Sequence, residues 1–284
     1  MKVLAGIVTY NRLVLLKECL DSVKQQTYSC FGILVVDNGS TDGTKEWLDT
    51  QTDLIIIHQA NLGGAGGFYA GQKYAVENGY DYVWLMDDDG IAAPNQLEIL
   101  LDSINKFQLD WANALPIYKE DHTRTVDGVE VDSFVSEQCN GGLFATPYPF
   151  NGSLIRCSVI KTIGYVKKEM FIWGDEREWY YRFCVNGYKA ATIVAAKHYH
   201  PLFKMKKDYI IPFLKIGPQL EIKPYPLNKY RYRNMGYLDK ISGGSRKKVK
   251  KYVLYYLFRF DLKQAISFVH CYNLGWNEDY ETKI

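Results

Sequence analysis

Tyr82-Val-Trp-Leu-Met-Asp87-Asp88-Asp89-Gly90 joins an apolar run to three consecutive carboxylates. A buried strand cannot carry three adjacent charges into its core without partners, so the strand stops here and presents them at its edge. A cluster of oxygens alone suits a hard divalent cation such as Mg2+ or Mn2+, and that cation in turn suits a diphosphate. Taken by itself the triplet reads equally well as a solvated acidic turn. The flanking sequence separates the two readings.

Working outward, strand and helix signals alternate through the first hundred residues. Val3–Thr9 reads as a strand and is followed by Tyr10-Asn11-Arg12 and a helix from Leu13 to about Gln26. Gly32–Val36 is a second strand, closed by Asp37-Asn38-Gly39-Ser40-Thr41-Asp42-Gly43, where Ser40 or Asp42 can cap a helix near 44–49. Leu54–His58 is a third strand. The run Asn61-Leu-Gly63-Gly64-Ala-Gly-Gly67 then precedes a helix over about 68–78, and Asp81–Met86 leads into the triplet. Helices follow at 95–107 and from Asp175 to about Asn186, and a strand at 190–196 ends in Lys197-His198-Tyr199-His200. This alternation predicts a mainly parallel sheet with helices on both faces. Ligands in such sheets collect beyond the carboxyl ends of the strands. Four of those ends carry polar or glycine-rich residues, and four such loops on one rim favour a binding site over four solvated turns.

The chain has 284 residues, ordinary apolar and charged fractions, and a high aromatic share that includes 23 tyrosines; core packing is the default reading of that excess. A net charge of +2 hides an asymmetry. Residues 1–203 hold 17 basic against 25 acidic side chains, whereas 204–251 hold 14 against 3. A basic, tyrosine-rich segment of this kind fits an anionic partner. Cys19, Cys30, Cys139, Cys157, Cys184 and Cys271 show neither a CxxC pair nor metal-finger spacing, so reduced and mostly buried thiols are expected. Met1–Val8 reads directly as a strand, without the apolar region and cleavage site of a signal peptide, and no apolar run approaches a membrane span. A cytoplasmic chain is expected, peripheral at the inner face of the plasma membrane.

In order along residues 1 to about 200, Val8–Arg12, Val35–Gly43, Asn61–Phe68, Asp87–Asp89, Trp173–Glu176 and His198 resemble family-2 inverting glycosyltransferases of the GT-A fold. The resemblance implies a catalytic domain over 1–203, with a nucleotide-sugar half to about 110 and an acceptor half over 111–203, followed by a basic helical extension at 204–284. It implies that Thr9, Tyr10, Asn11, Arg12, Asp37, Asn38, Gly39, Asn61, Gly63, Gly64 and Gly67 bind the nucleotide sugar. Asp37 is placed to accept a uracil N–H, and the glycine loop ahead of a helix can face an anion or a sugar. Asp87 or Asp88 takes the ribose. Asp87 and Asp89 take the divalent metal, Mn2+ or Mg2+, and alternation along an extended segment puts these two on one side. His198 is the expected third ligand, with His200 competing on spacing. Asp175 is the expected base and Glu176 its alternative, beside Trp173, Gly174 and His200 on the acceptor side; Asp175 also reads as a helix N-cap.

The glycine run, the Trp173–Glu176 segment and Tyr230-Arg-Tyr-Arg-Asn234 are most similar to galactofuranosyltransferases using UDP-galactofuranose, and next to rhamnosyltransferases using dTDP-rhamnose. Gly174 stands where the galactofuranosyl pattern can carry a second Asp. The expected acceptor is a glycan, lipid-linked or free, in cell-surface polysaccharide assembly such as O-antigen synthesis. From Lys204 through Lys206, Lys207 and the Ser245–Phe260 stretch, basic and apolar positions mix, as on a helix lying at an anionic bilayer. No nucleic-acid module is present. A non-catalytic nucleotide- or carbohydrate-binding protein is the reading from another class.

Overall fold

The structure is a computed structural model describing residues 1–29, 31–144, 150–202 and 206–284. Cys30 and Lys204, and with Lys204 the expected boundary at 203/204, lie outside the described residues. The chain divides into two units, Met1–Lys168 with Arg182–Phe203, and Glu169–Tyr181 with Lys204–Ile284. The segment 169–181, expected within a 1–203 domain, therefore groups with the C-terminal residues.

In chain order the elements are β1 (Val3–Thr9), α1 (Leu13–Lys24), β2 (Phe31–Asp37), α2 (Thr44–Leu48), β3 (Ile55–His58), α3 (Gly63–Glu77), β4 (Tyr82–Asp87), β5 (Ile91–Ala92) and α4 (Gln96–Phe107). There follow β6 (Trp111–Tyr118), α5 (Val131–Gln138), β7 (Leu143–Phe144), β8 (Ser153–Arg156), α6 (Cys157–Ile163), α7 (Asp175–Val185) and β9 (Ala190–His200). The sheet of the first unit has the order β3-β2-β1-β4-β8-β6-β9-β5, with β7 also on β9. β1 to β4 are mutually parallel, β8 is antiparallel to β4 and β6, and β9 is parallel to β6. β5 and β7 run antiparallel to β9. Most of the described strands thus point one way.

Continuous burial along β1 and along Tyr82–Met86 of β4 explains why both read as unbroken apolar runs: each has both faces covered. Helix α4 buries Leu97, Leu100, Leu101 and Ile104, a stripe at helical spacing that packs on Trp84 and Met86. The chain steps outward from β1 to β3, then returns through α3 to β4 on the other side of β1. That reversal opens a crevice at the carboxyl ends of β1 and β4. Val8 pairs with Asp87, so Thr9 and the acidic triplet meet there.

Two boundaries differ from the sequence reading. Helix α3 starts at Gly63, not near Phe68, so the glycine run is its first turns and not a loop. A side chain at Gly67 would put Cβ 2.2 Å from Val8 Cγ1, and this close approach lets α3 lie on β1. Strand β9 continues through His200, past a register shift between Ala114 and Leu115 on β6.

The second unit contains an antiparallel hairpin, β10 (Lys206–Ile211) with β11 (Ile216–Ile222). Helices α8 (Asn228–Ile241), α9 (Lys247–Leu257) and α10 (Leu262–Trp276) follow. The extension expected to be helical thus begins with strands, in a stretch where Lys206-Lys207 and Gly217-Pro218 interrupt the period-2 pattern. Much of the aromatic excess packs here: Tyr232, Tyr252, Phe268 and Tyr272 are core, and Tyr252 stacks on Phe268 at 4.7 Å. Among the described residues no helix is long and apolar enough to cross a membrane. Cys19, Cys157 and Cys271 are buried free thiols, while Cys184 is exposed.

The contact at Gly67 is testable. Gly67→Ala is expected to lower the free energy of unfolding by about 1–3 kcal/mol, the usual cost of overpacking, with the urea midpoint as the measure.

Candidate active site

The loops after β1, β2 and β3 are bonded into one rim. Asn11, at φ 53°, donates its N–H to Ser40 Oγ (2.9 Å) and accepts from Thr41 N–H (2.7 Å). Asp42 accepts from the N–H groups of Leu13 and Thr44 (3.2 and 3.1 Å), so one carboxylate caps α1 and α2 together. Asn38 donates from its backbone to Thr9 O (3.0 Å) and from its side chain to Gly63 O (3.0 Å). Asn61 Oδ1 accepts from Gly63 N–H (3.0 Å) at the start of α3. Gly39 and Gly64 belong to the same rim, and Tyr10 is exposed beside it.

Asp37 is fully buried, and both its oxygens are engaged. Oδ1 accepts from Ser40 N–H (2.9 Å), and Oδ2 lies 2.9 Å from His58 Nδ1. His58 Nε2 in turn lies 3.0 Å from Asp49 Oδ1. In this arrangement Asp37 holds the 38–43 turn, and His58, a residue without company in the sequence, joins two carboxylates. The register that pairs Asp37 with His58 across β2 and β3 is the signal that would have found it.

At the switch point the triplet splits into distinct environments. Asp88 is buried; Oδ2 accepts from Thr9 Oγ1 (2.7 Å), and Oδ1 pairs with Arg12 Nη1 (3.2 Å). Burial pushes the Asp88 carboxyl up to about 6, against the Thr9 hydrogen bond and the charge of Arg12. Asp89 Oδ2 takes the same Arg12 Nη1 at 2.9 Å, and its Oδ1 lies 3.1 Å from His200 Nε2. Burial opposes ionisation of Asp89, but the hydrogen bond and charge of His200, then Arg12, hold it below the usual carboxylate range. His200 is raised despite its own burial, chiefly by Asp89. Ligand atoms of Asp87, Asp89 and His200 lie within 4.8 Å of one another.

The histidine expected there was His198; the structure brings His200 to the carboxylates. Two residues apart on β9, both imidazoles emerge on one face. His198 sits one step deeper, packed on Gly90 and fully buried, and burial lowers its pKa to about 3. The Gln96 amide fits with its nitrogen toward Lys197 O (2.6 Å) and His198 Nδ1 (3.2 Å), which puts the imidazole proton on Nε2. His198 therefore supports the acidic loop from beneath as a neutral ring. His200, at the strand end, reaches Asp89.

Trp173, Gly174, Asp175 and Glu176 belong to the second unit. Asp175 is buried and opens α7. Glu176 Oε2 accepts from Gly174 N–H (3.3 Å), reaching back across the helix start. Trp173 is half-buried, with Lys223 Nζ 5.1 Å from its ring.

The sequence pattern of Glycosyl transferase family 2 matches residues 5–164, which span β1 to α6 and the whole β1/β4 switch point. The chain belongs to that family. This glycosyltransferase is 30% identical over 253 residues to Galactofuranosyltransferase GlfT1 of Mycobacterium tuberculosis, covering 83% of this chain and 81% of the relative. Its fold is that of GT-A glycosyltransferases. The crystal structure of S. aureus TarS 1-349 superposes with a TM-score of 0.58 at 14% identity, over 99% of this chain and 88% of that one. The mannosyltransferase PcManGT from Pyrobaculum calidifontis, in complex with GDP-Man and Mn2+, gives 0.56 at 17% identity, over 95% and 73%.

Within the glycosyltransferase the Thr9–Asp88 bond ties β1 to the acidic loop. Thr9→Val keeps the shape and removes the hydroxyl donor from a buried carboxylate. It is expected to cost about 1–3 kcal/mol of stability, read from urea unfolding.

Proposed function

We propose that this glycosyltransferase transfers galactofuranose, with inversion, from UDP-galactofuranose to a glycan acceptor, lipid-linked or free, in cell-surface polysaccharide assembly. The observation that carries the reading is the convergence of Asp87, Asp89 and His200 at the β1/β4 switch point, beside Thr9 and Arg12. Similarity to the galactofuranosyltransferase GlfT1 over most of both chains supports the choice of sugar.

Two carboxylate oxygens and an imidazole nitrogen fit a divalent cation, Mn2+ or Mg2+, and Asp87, Asp89 and His200 would hold it. When bound, the cation offsets charge on the diphosphate of the donor. The rim formed by Asn11, Asn38, Gly39 and the start of α3 lies at the strand ends, where a nucleotide binds in such sheets. Asp175 takes the proton of the acceptor hydroxyl as its oxygen attacks the anomeric carbon, and the nucleoside diphosphate leaves from the opposite face. Glu176, the alternative base by one position, accepts from Gly174 N–H through Oε2.

An anionic bilayer at the inner face of the plasma membrane completes the reading. Exposed positions run from Lys247, Lys250 and Lys251 on α9 through Leu254 and Leu257 to Phe258 at its end cap, basic at one end and apolar at the other. Beyond the helix Phe260 is 90% exposed, and at the hairpin tip Phe213 is 74% exposed. Arg259 joins these features by donating to Ile210 O (3.1 Å) and Tyr209 O (2.9 Å). Each basic side chain near an anionic surface contributes about 1 kcal/mol.

Donor profiling with and without EDTA tests the chemistry. UDP-galactofuranose is the expected donor, with turnover lost in EDTA and restored by Mn2+ or Mg2+; turnover of dTDP-rhamnose alone would overturn the sugar assignment. Asp175→Asn is expected to lower kcat by about 10²–10⁴ with UDP affinity kept; full activity would favour a non-catalytic role for that carboxylate. Flotation with phosphatidylglycerol vesicles is expected to carry the protein, and Phe213→Ser with Phe260→Ser to release it. Equal binding to phosphatidylcholine vesicles would count against the charge-based reading.

A further inference from the structure

The Tyr230-Arg-Tyr-Arg-Asn234 stretch opens α8, and its role lies in what one face of that helix holds. Residues 169–174 are unusually bent. Ile172 N–H bonds Met170 O at 2.7 Å across Phe171, whose φ is 63°, a tight turn of a rare and strained kind. Trp173 follows with φ 62° and Gly174 with φ 118°. Two non-glycine residues in the left-handed region, two positions apart, do not hold by local preference; something outside the segment must impose them.

Asn234 supplies that restraint. It is fully buried, and its Nδ2 donates to Met170 O (2.8 Å), Ile172 O (3.0 Å) and Trp173 O (3.1 Å). An amide nitrogen has two hydrogens, so one of these bonds is shared, and the three carbonyls must converge on a single point. Neighbours on the same face of α8 add to the grip. Arg233 Nη2 donates to Glu169 O (2.8 Å), and the Tyr230 ring stacks on Phe171 at 4.3 Å. Leu238 closes the far side: a Cβ on Gly174 would meet its Cδ1 at 3.2 Å and Asn234 Cβ at 3.4 Å. This packing, with the left-handed backbone, is the physical reason that glycine and not a second aspartate precedes Asp175.

We propose that Asn234, backed by Tyr230 and Arg233, is a positioning residue that sets the direction in which Asp175 leaves the 169–174 turn and presents its carboxylate to the acceptor hydroxyl. The inference rests on the proposed role of Asp175 as base. A carboxylate that must meet a hydroxyl at hydrogen-bond distance loses rate steeply when displaced, so releasing the clamp is expected to act on kcat and not on nucleotide affinity.

The experiment compares Asn234→Ala, Tyr230→Leu and Asp175→Asn in the full chain. It measures kcat and KM for donor and acceptor, UDP affinity by calorimetry, and amide exchange over residues 171–176. Asn234→Ala is expected to lower kcat about tenfold to a hundredfold, with UDP affinity unchanged and exchange protection lost at 171–176. Tyr230→Leu, at a half-buried site that tolerates truncation, is expected to shift kcat and exchange in the same direction by less, and it carries the test if Asn234→Ala does not fold. Freed amides with an unchanged kcat, while Asp175→Asn is inactive, overturn the positioning role and leave the base intact. A fully active Asp175→Asn overturns the base and with it the positioning inference.

Discussion

Negative charge concentrated at the end of β4 is the constraint around which the first unit is organised. Two like charges about 4 Å apart repel by about 4 kcal/mol at an effective dielectric near 20, and three adjacent carboxylates multiply the problem. The fold answers each one differently. Asp88 turns inward, takes the Thr9 hydroxyl and is shifted toward neutrality by burial. Asp89 stays ionised between Arg12 and His200. Asp87 ends the strand beside them. Arg12 and His200 come from opposite ends of the first unit's chain, so the acidic loop ties β1, β4 and β9 together.

Two properties of this site stand out, its rigidity and its charge. The rim is rigid, because Asn11, Asn38, Ser40 and Asp42 bond loop to loop, leaving little ordering to be done on binding. Its charge is balanced by side chains at the surface. Arg12 is half exposed, its guanidinium shared between Asp88 and Asp89. The second unit solves a different problem, holding a bent segment at the start of α7 by means of one buried amide on α8.

Much of this was legible in the residues. Apolar runs such as Val3–Thr9 and Tyr82–Met86 announce strands covered on both faces, and turn residues close them, so the element order and the rim followed. The errors have specific physical causes. Glycines in Gly63–Gly67 lower intrinsic helix preference, yet they are helical because α3 must lie close on Val8. His198 and His200 share a face and differ only in depth, which spacing does not reveal. His58 meets Asp37 through the β2/β3 register. In β10 the adjacent Lys206-Lys207, and in β11 Gly217-Pro218, break the alternation that marks a strand.

Local chemistry therefore settled the class of fold and the residue types at its rim, since burial of apolar runs and the desolvation cost of charge act on each segment separately. Depth, register and direction were left to the folded chain. They decide which histidine meets Asp89, what holds Asp37, and why Gly174 precedes Asp175. Each depends on side chains tens of residues apart being brought within about 3 Å, the range in which hydrogen bonds act.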